Sequence, residues 1–157
     1  MKIQLWSIGK ANESYVEEGI QLFTKRITNY YHVQWQIIPT PKNAAVLSEM
    51  DLKQKEGETI LNLLKKEDYL ILLDERGKQM SSEELAAFIE TKANTNTKNL
   101  VFLIGGAFGV DEKIKQRANY TWSFSKLVFP HMLMRLMLAE QVYRACTILR
   151  NEKYHHK

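Results

Sequence analysis

The chain has 157 residues, 45% of them hydrophobic and 25% charged, a balance that suits one folded domain and excludes a disordered chain. One cysteine, Cys146, excludes an internal disulfide framework and cysteine-rich zinc sites, and no apolar run approaches the ~18–20 residues of a membrane span. The net charge of +4 is unevenly spread: residues 113–157 hold nine Lys/Arg against two acids, so an anionic partner such as nucleic acid would meet the C-terminal third.

Residues 2–8 place Ile3 and Leu5 on one face and Trp6 and Ile8 on the other, the mark of a strand buried on both sides. This opening reads as a strand rather than a signal peptide, and a soluble, cytoplasmic setting is expected. After Gly9, Ser14 and Glu17 have capping-box spacing, and Val16, Ile20, Phe23 and Ile27 form one stripe of an amphipathic helix. Val33, Trp35 and Ile37 alternate with polar residues as a second strand, stopped by Pro39 and Pro41. Residues 42–50 read as a loop or weak helix, and Lys53 to Lys66 as a helix with Ile60, Leu61 and Leu64 inward.

Tyr69 to Leu73 is a continuous apolar run, as in a central parallel strand, and Asp74 to Gly77 reads as a turn. Ser81 and Glu84 repeat the capping-box spacing ahead of a helix carrying Leu85, Phe88 and Ile89. Leu100 to Ile104 is a fourth strand, Val110 to Arg117 a short helix, and Thr121 to Phe129 a fifth strand-like stretch ended by Pro130. His131 to Arg150 is the longest helix and is apolar on more than one face. Such a helix packs on its sheet and on something else, either a partner subunit or the rest of its own core. The alternation predicts an α/β fold, a mostly parallel sheet wrapped by helices, as a single domain over residues 1–157.

Gly105, Gly106 and Gly109 crowd the end of the fourth strand, where parallel sheets bind ligands and where glycine lets a ligand approach the backbone. The P-loop pattern fails, because Val110-Asp111 follows Gly109. The dinucleotide fingerprint fails too: the spacing is G-G-x-x-G, and no acid stands about 20 residues on. The stretch Ser123 to His131 offers hydroxyls and backbone to a polar ligand, with Leu127 and Phe129 suited to flank an aromatic ring; composition alone makes it an edge strand. His131, Arg135, Arg144, Tyr154 and His155 are the candidate chemistry residues, since neutral histidine takes a proton near pH 7 and arginine binds oxyanions bidentately. Tyr154-His155-His156 reads either as a frayed end or as an aromatic and base pair for a nucleobase. No cluster has metal-ligand spacing, so no metal is expected, and Cys146 reads as core.

Together these segments resemble a known family. Leu72-Leu73-Asp74-Glu75-Arg76-Gly77-Lys78, Phe102 to Gly109, Trp122 to His131, Glu140 to Ala145 and the ending Tyr154-His155 are similar, in order and spacing, to the ribosomal RNA large subunit methyltransferase H family of the SPOUT class. The resemblance covers essentially the whole chain. It implies an α/β knot with a C-terminal trefoil knot, a homodimer, and S-adenosylmethionine as cofactor. The implied reaction is methylation of N3 of a pseudouridine in the helix-69 loop of 23S rRNA, on assembled ribosomes. The implied cofactor contacts are Leu73, Gly105, Phe124, Ser125, Lys126, Leu127, Val128 and Phe129, and the implied catalytic positions are Arg144, Tyr154 and His155. The alternative from charge alone is a non-catalytic RNA-binding module.

Overall fold

In the computed structural model, which describes residues 1–156, strands and helices alternate throughout. They are β1 (Lys2–Ile8), α1 (Ser14–Ile27), β2 (His32–Ile38), α2 (Glu49–Leu63), β3 (Tyr69–Gln79), α3 (Ser82–Asn94), β4 (Asn99–Ile104), α4 (Glu112–Arg117), β5 (Tyr120–Ser123) and α5 (His131–Leu149). All five strands are parallel, in the order β2-β1-β4-β3-β5. Residue 157, the last of the expected domain, lies outside the described residues.

The two-residue period of each strand builds two apolar layers. Ile3, Leu5, Ile71, Phe102 and Ile104 face α1, α3 and α5, meeting Leu85, Ile89, Leu138, Val142 and Cys146. Trp6, Ile8, Leu70, Leu72, Val101 and Leu103 face the opposite way, meeting Ile60 of α2 and Ile114 of α4. Each fully buried large apolar side chain contributes ~1.5–3 kcal/mol. α5 lies between α1 and α3, and Gly19 of α1 lets it come close: a Cβ there would stand 2.7 Å from Leu136 Cδ1. Much of the surplus apolar surface of α5 is therefore covered inside the chain.

Four local expectations need correcting. Ser14 caps nothing; Glu13 holds the N-cap position, without a side-chain bond, and Ser14 is already helical. α2 begins at Glu49 rather than Lys53, because Ser48 accepts the Asp51 amide at 3.1 Å, and it ends at Leu63, short of Lys66. Asp74 to Gly77 is not a turn that ends the strand. β3 runs on to Gln79, its register against β5 slipping between Leu73 and Lys78, and Asp74 folds the slipped residues by accepting the Arg76 amide at 2.9 Å and its guanidinium. Finally, β5 stops at Ser123 rather than Phe129. There hydroxyls replace the ladder: Ser123 Oγ donates to the Ser125 carbonyl at 2.8 Å, and Ser125 Oγ accepts the Leu127 amide at 3.0 Å. The capping box at Ser81 and Glu84 forms as its spacing predicts.

Candidate functional site

A parallel sheet gathers its carboxyl ends at one edge, and here the slipped stretch of β3 and the segments after β4 and β5 enclose a cleft of about 340 Å³ there. Leu73, Gly105, Phe124, Ser125 and the stretch Leu127 to Phe129 line it, together with His131 and Met134 of α5; Lys126 is not part of the lining. Leu127, Val128 and Phe108 are large apolar side chains left exposed at this edge. The cleft thus offers apolar walls and strand-end backbone, a surface suited to a flat ring with a polar rim.

The glycines have reasons inside the chain. A Cβ on Gly105 would stand 2.7 Å from Val110 Cγ1, and Gly109 adopts φ +84°. Gly106 leaves its side-chain space to Glu56 of α2, a buried carboxyl that takes no hydrogen bond or ion pair among the described residues. Burial pushes the Glu56 carboxyl above the usual range. Sequence reading missed Glu56; its signal was an acid four residues from Leu52 and from Ile60, on the apolar face of the helix. Across the loop, the His131 ring lies beside the Gly106 backbone, its pKa lowered first by burial and then by Arg135.

The tail residues assemble elsewhere, at the other end of α5. Asn151, at φ +55°, turns the chain back, so that Tyr154 packs on Tyr143 with ring centroids 4.7 Å apart. Of the two readings of Tyr154-His155-His156, a frayed end does not hold for Tyr154 and His155, which are both packed and hydrogen-bonded. Glu140 Oε1 accepts Arg144 Nε and the Tyr154 hydroxyl, each at 3.0 Å, and pairs with Arg144 Nη2. The Arg144 guanidinium also lies over the Tyr154 ring, 4.8 Å from its centroid. The hydrogen bond to Glu140 holds Arg144 above its ordinary pKa, and burial followed by the same carboxylate raises the Tyr154 phenol, which stays a donor at neutral pH.

His155 completes the cluster. Arg144 Nη1 reaches its Nδ1 at 3.3 Å, and Glu83 Oε1 of α3 meets its Nε2 at 3.0 Å. Arginine has only donors, so Nδ1 is the accepting nitrogen and Nε2–H donates to Glu83. That hydrogen bond holds the Glu83 carboxyl down at about 2. His156 is exposed and outside the cluster. Arg144, Tyr154 and His155 are thus brought together by Glu140 and Glu83, whose roles the sequence did not reveal. Arg135 stands apart from them, fully buried.

The parallel sheet, the cleft at its carboxyl edge and the failed P-loop and dinucleotide patterns define an α/β ligand-binding enzyme frame outside the common nucleotide folds. The chain belongs to the SPOUT methyltransferase family: the profile described as "Predicted SPOUT methyltransferase" matches residues 1–155. It is 45% identical over 156 residues to ribosomal RNA large subunit methyltransferase H of Cytophaga hutchinsonii, covering 99% of this chain and 100% of the relative. Proteins of the same name from Parabacteroides distasonis (45% over 157 residues, 100% of each chain) and from a strain of Clostridium botulinum (44% over 158 residues, 99% of each) are similarly related. The chain is a methyltransferase. No helix among the described residues is long and apolar enough to cross a membrane.

Proposed function

We propose that this chain is a single-domain, S-adenosylmethionine-dependent methyltransferase that acts as a cytoplasmic homodimer on 23S rRNA of assembled ribosomes, methylating N3 of a pseudouridine in the helix-69 loop. The full-length relatives named ribosomal RNA large subunit methyltransferase H support the substrate class. The observation that carries the cofactor is the cleft: its 340 Å³ lies within the ~300–1,000 Å³ of small-ligand pockets, and its walls fit an adenosine. The trefoil knot belongs to the same reading, in the segments that frame the cleft.

When bound, the sulfonium supplies an activated methyl group. The chain's own work is to position donor and acceptor in line and to manage the N3 proton. Leu127 and Phe129 would flank the adenine, and Leu73, Gly105, Phe124, Ser125 and Val128 would present backbone to its edge. Arg144 uses three of its five N–H groups on Glu140 and His155, which leaves two for the carbonyl oxygens on either side of N3. His155 Nδ1 is the base. To take a proton it must release Arg144, and the freed N–H then stabilises the developing anion. Glu83 holds the far nitrogen of the ring, and Tyr154 orients or stacks on the base.

A homodimer is needed for the two halves to meet. Arg144 stands ten residues along α5 from Met134 at the cleft, about 15 Å at the helical rise. A second copy brings its tail cluster to this cleft, its approach supported by the exposed Phe108, Leu127 and Val128 at the rim. Mass spectrometry of ribosomal RNA from a deletion strain tests the reading: one methyl lost from the helix-69 loop is expected, and an unchanged loop contradicts it.

A further inference from the structure

We propose that the first turn of α5, together with Arg135, is an oxyanion site at the end of the cleft, and that it takes the carboxylate on the amino-acid end of the methyl donor. This rests on the donor reading above and assigns a subsite within it. Arg135 is fully buried and has no acid partner among the described residues: it donates to Ser7 Oγ, the Lys10 carbonyl and Asn12 Oδ1, each at 2.8 Å, and all three are neutral acceptors. Its Nη2 is buried with no hydrogen-bond partner among the described residues. A buried guanidinium cannot shed its charge, so a site with a positive charge and an unused donor is built for an anion.

The helix beside it points the same way. α5 has 19 residues, its N-cap is Pro130 with no capping side chain, and its first turn holds no acid. The amides of His131, Met132 and Leu133 take no hydrogen bond among the described residues. These orphan donors carry the positive end of the helix dipole. Arg135 lies against this turn, its Nη1 3.6 Å from Met132 Sδ. His131, one turn before Arg135 on the same helix face, lines the cleft, as does Met134; Arg135 itself lies behind that lining, fully buried. Gly9, at φ +136°, stands over Nη2: a Cβ there would come within 3.2 Å of it, and the β1–α1 turn is the cover that must yield.

The test is calorimetric binding of S-adenosylhomocysteine, which has the carboxylate, and of 5′-methylthioadenosine, which lacks the amino-acid end. Arg135→Gln and Arg135→Lys are compared with the unaltered protein. Losing a charge-assisted contact should weaken S-adenosylhomocysteine about ten- to hundredfold in Arg135→Gln and leave 5′-methylthioadenosine within twofold. Equal weakening of both ligands shows a merely structural arginine and overturns the proposal. Unchanged S-adenosylhomocysteine binding with lost RNA affinity also overturns it, in favour of a phosphate site. Should neither variant fold, the methyl ester of S-adenosylhomocysteine decides on the unaltered protein: about tenfold weaker binding than the free acid is expected, and equal binding refutes the site. If the unaltered protein binds neither nucleoside, the donor reading itself falls.

Discussion

The cleft and the tail cluster sit on one helix and are built on opposite plans. The cleft is walled by apolar side chains and strand-end backbone, with exposed Leu127 and Val128 at its mouth and unpaired donors at the start of α5. The tail cluster is a polar network: Glu140, Arg144, Tyr154, His155 and Glu83 bind one another within about 3.3 Å, leaving two Arg144 N–H groups over. An open apolar wall serves a ligand that must bind and leave. A polar network with fixed tautomer and charge serves chemistry that must be aimed. If so, damage to the first region should appear in donor affinity, and damage to the second in transfer rate.

The largest separation is expected from Arg144→Ala. Methyl transfer in single-turnover assays on ribosomal particles should fall about 10²–10³-fold, as when an anion-stabilising donor is removed, with S-adenosylhomocysteine binding within twofold. Lysine should not rescue it, because it cannot hold Glu140, His155 and substrate at once. Gly105→Val should do the reverse. Its Cβ meets Val110 at 2.7 Å, so the loop must shift and donor binding should weaken at least about tenfold, while the distant Tyr154–Glu140 contact persists. Equal effects of both substitutions on both readouts would erase the distinction between the regions.

Smaller effects sharpen the cluster's internal order. His155→Ala should slow transfer about ten- to hundredfold, Glu83→Gln only a few-fold, and His156→Ala not at all, since its side chain is exposed and outside the network. The smallest expected effect is on stability alone. Burial pushes the Cys146 thiol from 9.0 up to about 12. Between those values the unfolded chain has released a proton that the native one keeps, so stability should fall as pH rises through this window. At pH 8 the native thiol should resist alkylation; rapid labelling of folded protein would show that the core around α5 opens.

The layered order of the fold was legible because a parallel sheet writes its strands as apolar runs such as Leu100 to Ile104, and its helices as stripes such as Val16, Ile20 and Ile27. The ends of elements were less so. Ser14 and Ser81 carry the same spacing to an acid, yet only Ser81 caps, because tertiary packing decides where the chain enters the helix. The run Leu127-Val128-Phe129 has strand composition, but Ser123 and Ser125 bind the backbone locally and turn it into a loop. The cleft residues were recognisable as strand ends and through the family's motifs. Glu83 and Glu140 were not, since an acid on a helix reads as solvated until the chain end that brings His155 and Tyr154 to it is placed, and the burial of Glu56 beside Gly106 is likewise a tertiary fact. Arg135 was noticed as chemistry, but its lack of a counter-charge is a fact of three dimensions.

The central claim is that the cleft of one copy works with the tail of another. Co-refolding Gly105→Val with Arg144→Ala in equal amounts tests it most directly. At a donor concentration that saturates the unaltered cleft but not the Gly105→Val cleft, each parent should have little activity alone. In a mixed dimer one site regains both an intact cleft and an intact tail, so random pairing predicts recovery of about a quarter of the unaltered activity. No recovery, with mixed dimers demonstrated by native mass spectrometry, would place cleft and tail chemistry in the same chain and contradict the account.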